Sequence, residues 1–278
     1  MAKSHGKHAS KAQYEENWYW YLTGENRDGF TSEYENSVKV IRRVAGLLPG
    51  DPRCFECNLP LAGMGTWVLK TRPSSFSPRL CNLCEEQIKT EEAGAEVELT
   101  MLFADMRGST TLAQTLAPTE FKELIQRFYQ AAGEALVRQN AMVNRLIGDQ
   151  VIGLFVPRFA GARHAQAALE TAQDLLRATG HADPAGPWAP VGIGLHTGLA
   201  WVGAVGTKAG VNEIAVLGSG PNLAARLSSQ AGAGEILLSE AAAASAGLAG
   251  ERLERRELTL KGIEGAVGVR VVRVREAS

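Results

Sequence analysis

The stretch VELTMLFADMRGSTT, Val97 to Thr111, constrains this chain more than any other. Val97 to Ala104 is an apolar run with the β-branched and aromatic content of a buried strand. The run stops at Asp105, and a Gly108-Ser109-Thr110 turn follows. A strand that ends in a carboxylate and then turns through Gly, Ser and Thr brings an anionic ligand and backbone N–H groups to one spot. That suits a hard cation carrying a phosphate chain, because Mg²⁺ takes one or two carboxylates plus phosphate oxygens. Taken alone, Asp105 reads as a turn or helix-cap residue. Its weight comes from a second carboxylate.

Pro118 and Thr119 start a helix that runs to Gln139, with Phe121, Leu124, Ile125, Phe128, Ala132 and Leu136 on one face. Two short apolar runs follow, Met142 to Ile147 and Val151 to Phe155, flanking Gly148-Asp149. Glycine and a polar residue between strand-like runs predict a tight hairpin. The strand-helix-hairpin order lets that hairpin lie beside the first strand, with Asp149 beside Asp105. Two carboxylates so placed repel each other unless cations bridge them. An isolated Gly-Asp is otherwise an ordinary turn.

With 278 residues, the chain has room for one substantial domain and a smaller appendage. Its formal net charge of −1 provides no field for nucleic acid or an anionic membrane. No apolar run approaches a membrane span, and the basic start MAKSHGKHASK lacks the apolar core of a secretory signal, so the cytoplasm is the expected location. All four cysteines fall as Cys54-x-x-Cys57 and Cys81-x-x-Cys84. Each C-x-x-C turn presents two thiolates, and two turns complete a tetrahedral shell, which makes one structural zinc the expected occupant. An iron–sulfur cluster and a redox dithiol pair are the alternatives. Leu59, Leu61, Trp67 and Val68 are the expected small core of this module.

The rest of the chain divides around these features. Residues 1 to about 12 read as a polar tail, in which His5 and His8 carry no assigned role. Trp18, Tyr19, Trp20 and Tyr21 form a dense aromatic group, and Val38, Val40, Ile41, Val44, Leu47 and Leu48 an amphipathic piece. Residues 1–48 are therefore expected as a tail and helical arm, 49–93 as the Cys₄ module and linker, and 94–276 as the main domain. Beyond the hairpin the pattern predicts a helix at 161–179 and strands at 191–197, 200–205 and 212–217. A helix from Asn222 to Ala231, strand 235–238, helix 239–247 and strands 252–260 and 267–274 complete it. Interleaved helices and hairpins of this kind predict an α/β (α+β) sandwich, with helices packed on a mainly antiparallel sheet.

Five ordered segments, LFADMRGST, RLIGDQVIGLF, GIGLHTGLAWVGAVG, VLGSGPNLAARL and TLKGIEGAVGVRVVRV, resemble the class III nucleotidyl (adenylate/guanylate) cyclases over roughly Val97 to Val274. The resemblance implies a ferredoxin-like cyclase core. It also implies a reaction in which the ribose 3′-oxygen of a nucleoside triphosphate attacks the α-phosphorus and expels pyrophosphate. Asp105, Asp149 and the Met106 carbonyl match the ligands of two Mg²⁺ or Mn²⁺ ions, and the amides of Arg107, Gly108, Ser109 and Thr110 match the phosphate cradle. Asn222 matches the ribose-orienting residue, Arg226 the transition-state arginine, and Lys261 a triphosphate contact. In the family the site lies between subunits, which implies a head-to-tail homodimer. His196 matches a family segment but reads as a hydrogen-bonded strand-end histidine, and His164 and His181 as surface positions.

Two base-reading positions depart from the family, and the usual acidic or polar run before Asn222 reads Ser219-Gly220-Pro221 here. ATP-using members commonly carry lysine where Arg145 stands, and aspartate or threonine where Ala215 stands. Alanine accepts no hydrogen bond from an exocyclic amine, so the usual purine code is absent. ATP is the first expectation for the substrate, with GTP or a pyrimidine triphosphate as the second. A degenerate regulatory module is a third reading. A nucleic-acid role for the Cys₄ module, resting on Arg53, Lys70, Arg72 and Arg79, is a fourth.

Overall fold

The computed structural model describes residues 11–27, 33–74, 77–90, 93–206, 212–250 and 252–274. Residues 1–10 of the expected tail, His5 and His8 among them, lie outside the described residues. The chain divides into two compact units, Met1–Val97 with Trp201–Val216, and Glu98–Ala200 with Leu217–Ser278.

The second unit is built on an open, mostly antiparallel sheet. Its order is β2 (Met142–Ile147), β3 (Gln150–Phe155), β1 (Gly94–Met106), β4 (Val191–Gly206), β6 (Glu235–Ser239), β8 (Ala266–Arg273) and β7 (Glu254–Thr259). β5 (Asn212–Leu217) pairs with β4 off this path; its residues to Val216, like those of β4 from Trp201, belong to the first unit. The pairs β1/β3, β2/β3, β6/β8 and β7/β8 are antiparallel, and β4/β6 is parallel. These strands bear out the expected α+β class.

Successive strand residues face opposite sides of a sheet, and β6 shows the consequence. Ile236 and Leu238 join the larger core with Phe128 and Leu136 of α6 (Pro118–Arg138) and Leu169 and Leu175 of α8 (His164–Ala178). Leu237 points the other way, into a smaller core with Leu227 of α9 (Ser219–Gln230), Val269 and Val271. Helices therefore cover both faces. Two glycines permit the close approach. A Cβ on Gly153 would meet Leu136 Cδ2 at 2.2 Å, and one on Gly194 would meet the α9 backbone at Ala224 O, 2.4 Å away.

Several expectations need correction. The strands expected at 191–197 and 200–205 are one continuous strand, β4, because Gly198 and Leu199 stay extended. The expected helix at 161–179 begins at His164, and a separate short helix, α7 (Pro157–Ala160), precedes it. α9 starts at Ser219, since Pro221 in the first turn lacks only an N–H that has no partner inside a helix. His164 is buried, not on the surface: its Nδ1 lies 2.9 Å from Thr100 Oγ1, which is 2.7 Å from Thr197 Oγ1. Burial pushes its pKa down. His181 is half-buried, its Nε2 accepting from the Val191 amide at 3.0 Å. His196 stands mid-strand, with Nδ1 2.9 Å from Ser239 Oγ.

In the first unit, α1 (Lys11–Thr23) buries Trp18, Trp20, Tyr21 and Leu22, with Trp18 and Tyr21 edge to face at 5.9 Å. The aromatic group is core. α2 (Glu33–Ala45) buries Val38 and Ala45. Val40, Ile41, Val44 and Leu47, expected on its packing face, are exposed. Trp67 of α3 (Met64–Val68) is 86% exposed and Val68 is exposed as well, so neither belongs to the small core expected around the cysteines. Leu61, Leu80 and Ile88 are buried in this unit. The start of the Glu85–Glu96 stretch, read as a linker or a short exposed helix, is helical: it belongs to α4 (Asn82–Thr90), which carries Cys84.

Candidate active site

β1 runs buried through the sheet and surfaces at Asp105, whose Cα pairs with Gln150 of β3. The β2–β3 turn therefore falls beside the end of β1. Gly148 takes a positive φ of 58°, the tight reversal that glycine allows, and Asp149 follows it. The Met106 amide donates to the Asp149 carbonyl at 3.0 Å, which ties the turn to the strand. Tyr129 of α6 donates its hydroxyl to the Gly148 carbonyl at 2.7 Å and holds the turn from the other side. Sequence reasoning missed Tyr129; its place beside the helix's apolar face was the only signal.

Asp105 and Asp149 stand at adjacent strand ends, close enough for each carboxylate to feel the other. Burial raises the Asp105 pKa from 3.8 to about 6; Arg107 opposes the rise and Asp149 adds to it. Two carboxylates pressed together in a half-buried setting resist double ionisation without a counter-cation. The neighbouring residues supply partial substitutes. The Arg107 guanidinium pairs with Asp105 Oδ2, and Ser109 Oγ donates to Asp149 Oδ2. Arg107 also donates Nη1 to the Ser229 carbonyl of α9 at 3.0 Å.

Gly108, with φ 73°, turns the chain into α5 (Ser109–Thr115). The Arg107 amide donates to the Pro190 carbonyl at 2.7 Å. It is therefore not free for the expected phosphate cradle, which reduces to Gly108, Ser109 and Thr110. An all-oxygen donor set of two carboxylates and a neighbouring backbone carbonyl fits a hard divalent cation.

The other expected residues lie apart from this cluster. Asn222 and Arg226 share the exposed face of α9, one turn apart. Among the described residues, neither makes a hydrogen bond or ion pair to Asp105 or Asp149. Arg145 is half-buried on β2, just past a register shift between Val143 and Arg145. Lys261 is exposed in the β7–β8 turn. Ala215 is buried in β5, within the other unit.

In the first unit, Cys54, Cys57, Cys81 and Cys84 are all buried, with their Sγ atoms within 4.8 Å of one another. Cys54 and Cys84 stand 4.0 Å apart, and Cys57 and Cys81 3.6 Å. A tetrahedral ion with metal–sulfur bonds of about 2.3 Å requires sulfur separations of about 3.8 Å. The Cys81 amide points at Cys54 Sγ (3.3 Å) and the Cys84 amide at Cys81 Sγ (3.4 Å), which favours thiolates. Hydrogen bonding from Cys57 holds the Cys54 thiol low, while hydrogen bonding with Cys54 pushes Cys57 and Cys84 up. Four ligands in one shell can hold a metal ion.

No described helix is long and apolar enough to cross a membrane. A family model described as "Adenylate and Guanylate cyclase catalytic domain" matches residues 92–270. The adenylate cyclase of Anabaena cylindrica is 27% identical over 151 residues, 52% of this chain and 30% of that protein. The adenylate cyclase of Mycobacterium tuberculosis (H37Rv) is 30% identical over 168 residues, 59% of this chain and 36% of that protein. The chain thus spans about a third of the length of these curated relatives. Among solved structures, the adenylyl cyclase CyaB from P. aeruginosa superposes with a TM-score of 0.56 at 25% identity, covering 66% of this chain and 97% of that one. The guanylyl cyclase Cya2 gives 0.56 at 23%, covering 64% and 92%. The first shares this fold at the limit of recognisable sequence, and the second is a likeness of fold alone. With the family match spanning more than half of the sequence, this chain belongs to the class III adenylate and guanylate cyclase catalytic domain family.

Proposed function

We propose that the chain is a cyclase that converts a nucleoside triphosphate, ATP first, into its 3′,5′-cyclic monophosphate and pyrophosphate. The observation that carries this reading is the meeting of Asp105 and Asp149 at neighbouring strand ends. Asp105, Asp149 and the Met106 carbonyl would hold two Mg²⁺ or Mn²⁺ ions. When bound, such ions acidify the ribose 3′-hydroxyl and neutralise the triphosphate.

This chain's residues supply the rest. Gly108, Ser109 and Thr110 bind the phosphates, and Arg107, released from Asp105, presents a cation to them. Lys261 contacts the triphosphate. Asn222 orients the ribose so that its 3′-oxygen lies in line with the α-phosphorus. Arg226 donates a planar fork to the charge that develops there. The 3′-oxygen–phosphorus bond forms as the bond to the bridging oxygen of pyrophosphate breaks, and the hydroxyl proton passes to solvent. A head-to-tail homodimer, with two equivalent sites, joins Asn222 and Arg226, which make no bond to Asp105 or Asp149 among the described residues, to the aspartates of the partner chain. Residues 94–276 form the catalytic domain, and the Cys₄ module at 49–93 holds one structural zinc.

A second reading rests on a specific pair. Ala215 offers no acceptor to an adenine amine and Arg145 replaces the usual lysine, which favours GTP or a pyrimidine triphosphate. Incubating the protein with Mn²⁺ or Mg²⁺ and each of the four ribonucleoside triphosphates, then identifying the cyclic product, decides between them. ATP turnover above the others supports the first reading, and GTP, CTP or UTP turnover above ATP the second. No product from any of the four overturns both.

A further inference from the structure

The cysteine loops and α2 are joined by two arginines that point in opposite directions. Arg42, on α2, donates Nη1 to the Phe55 carbonyl and to the Glu56 carbonyl (2.8 Å), both inside the Cys54–Cys57 turn. Arg53, one residue before Cys54, donates to Ala45 O (3.1 Å) and Leu48 O, at the end of α2. It also reaches Asn58 O at 3.0 Å. Asn58, held in the left-handed region at φ 63°, returns its side-chain amide to Arg42 O at 3.4 Å. The carbonyls of Arg42 and Ala45 already accept from the turn amides of Gly46 and Leu48, and the metal loop adds side-chain donors to both, while the helix's Arg42 caps the loop's carbonyls. The same loop is tied to the second cysteine pair by the Phe55 amide to Arg79 O (2.6 Å), the Cys81 amide to Cys54 Sγ and the sulfurs themselves.

We infer that the four cysteines, Arg42 and Arg53 form one metal-dependent clasp. A thiophilic divalent ion, zinc by its chemistry, fixes the Cys54–Cys57 turn against Cys81 and Cys84, and the two arginines turn that fixation into docking of α2. Arg53 is therefore a positioning residue. Its guanidinium is directed at carbonyls of the helix end, which leaves it no part in a nucleic-acid face. With Val40, Val44 and Leu47 exposed, the apolar hold on α2 falls to Val38 and Ala45, and polar capping by the loop adds to that small contact and to the Asn26–Glu35 hydrogen bond. The inference rests on the zinc reading above and is independent of the cyclisation reading.

The test uses the full chain as purified. Zinc is counted by plasma mass spectrometry, and hydrogen exchange is followed for residues 33–48, with the hairpin at 142–155 as internal control. Removing the metal with a chelator should speed exchange across 33–48 by about tenfold or more, leave the hairpin unchanged, and be reversed by added Zn²⁺. Arg53→Ala should speed exchange of 33–48 while one zinc per chain remains, and Arg53→Lys should restore part of the protection. Unchanged exchange of 33–48 after zinc release, or in zinc-loaded Arg53→Ala, overturns the clasp. So does a chain that holds no zinc yet keeps 33–48 protected, and in that case the cyclase reading, which is measured by turnover, is untouched.

Discussion

The chain contains two places where like-charged ligands crowd together, and they are built in opposite ways. At the end of β1, two carboxylates are half-buried and already hold substitutes, a guanidinium on Asp105 and a hydroxyl on Asp149. At the cysteines, four sulfurs are buried on one another, with backbone amides pointing inwards. On the proposed reading the first arrangement would tolerate the coming and going of ions, because polar groups of the chain stand in for them. Among the described residues the second shows no cationic side chain standing in for a metal. Open geometry with stand-in partners suits a catalytic cation, and a closed shell suits a structural one.

The largest effect should come from breaking the closed site. Cys84→Ser should abolish zinc binding and the cooperative unfolding of the first unit, since structural zinc contributes apparent free energies of about 10–16 kcal/mol in small metal-folded domains. Zinc content and near-ultraviolet circular dichroism of the variant check this, and a fully folded, zinc-free Cys84→Ser protein would erase the contrast. Next in size is the division of the active site between chains. Asp105→Ala and Arg226→Ala should each be inactive alone, and mixing them should restore about a quarter of wild-type turnover, from the one intact site in each mixed dimer. No recovery in verified mixed dimers would place both halves in one chain.

A smaller effect sharpens the open site. The folded-state pKa of Asp105 lies above its ordinary value of 3.8, at about 6, so the folded chain binds that proton more tightly. The stability this gives is complete below about pH 4 and is lost as pH rises through 6. Metal-free Asp105→Asn should therefore be more stable than wild type at pH 7.5, by on the order of 1 kcal/mol after solvent screening, and no more stable at pH 4. Thermal melts at the two pH values check the sign. Smallest is Tyr129→Phe, which removes the hydrogen bond to Gly148 O. It should lower stability by about 1 kcal/mol and raise the Mn²⁺ concentration needed for half-maximal turnover a few-fold.

Much of this was legible in the sequence where local chemistry decides the outcome. The β1 run, the Gly148-Asp149 hairpin and α6 appear where apolar spacing and turn residues put them. The cysteine spacing likewise anticipated a four-sulfur cluster. What escaped depended on neighbours distant in the chain. His164 is buried because Thr100 and Thr197, on two different strands, meet it there. Trp67 is exposed although its size argues for burial, because the cysteines rather than an apolar core organise its module. The use of the Arg107 amide by Pro190 and the capping of α2 by Arg53 are contacts between segments that no periodicity announces.

The central claim is that Asp105 and Asp149 act together as cation ligands in cyclisation. Turnover of the preferred triphosphate with Mn²⁺, compared between wild type and an Asp105→Asn protein shown to be folded, tests it most directly. The account predicts cyclic nucleotide and pyrophosphate in equal amounts from wild type, and at least a thousand-fold less, on the order of 4 kcal/mol of transition-state stabilisation, from the variant. Turnover in Asp105→Asn within a few-fold of wild type would contradict it.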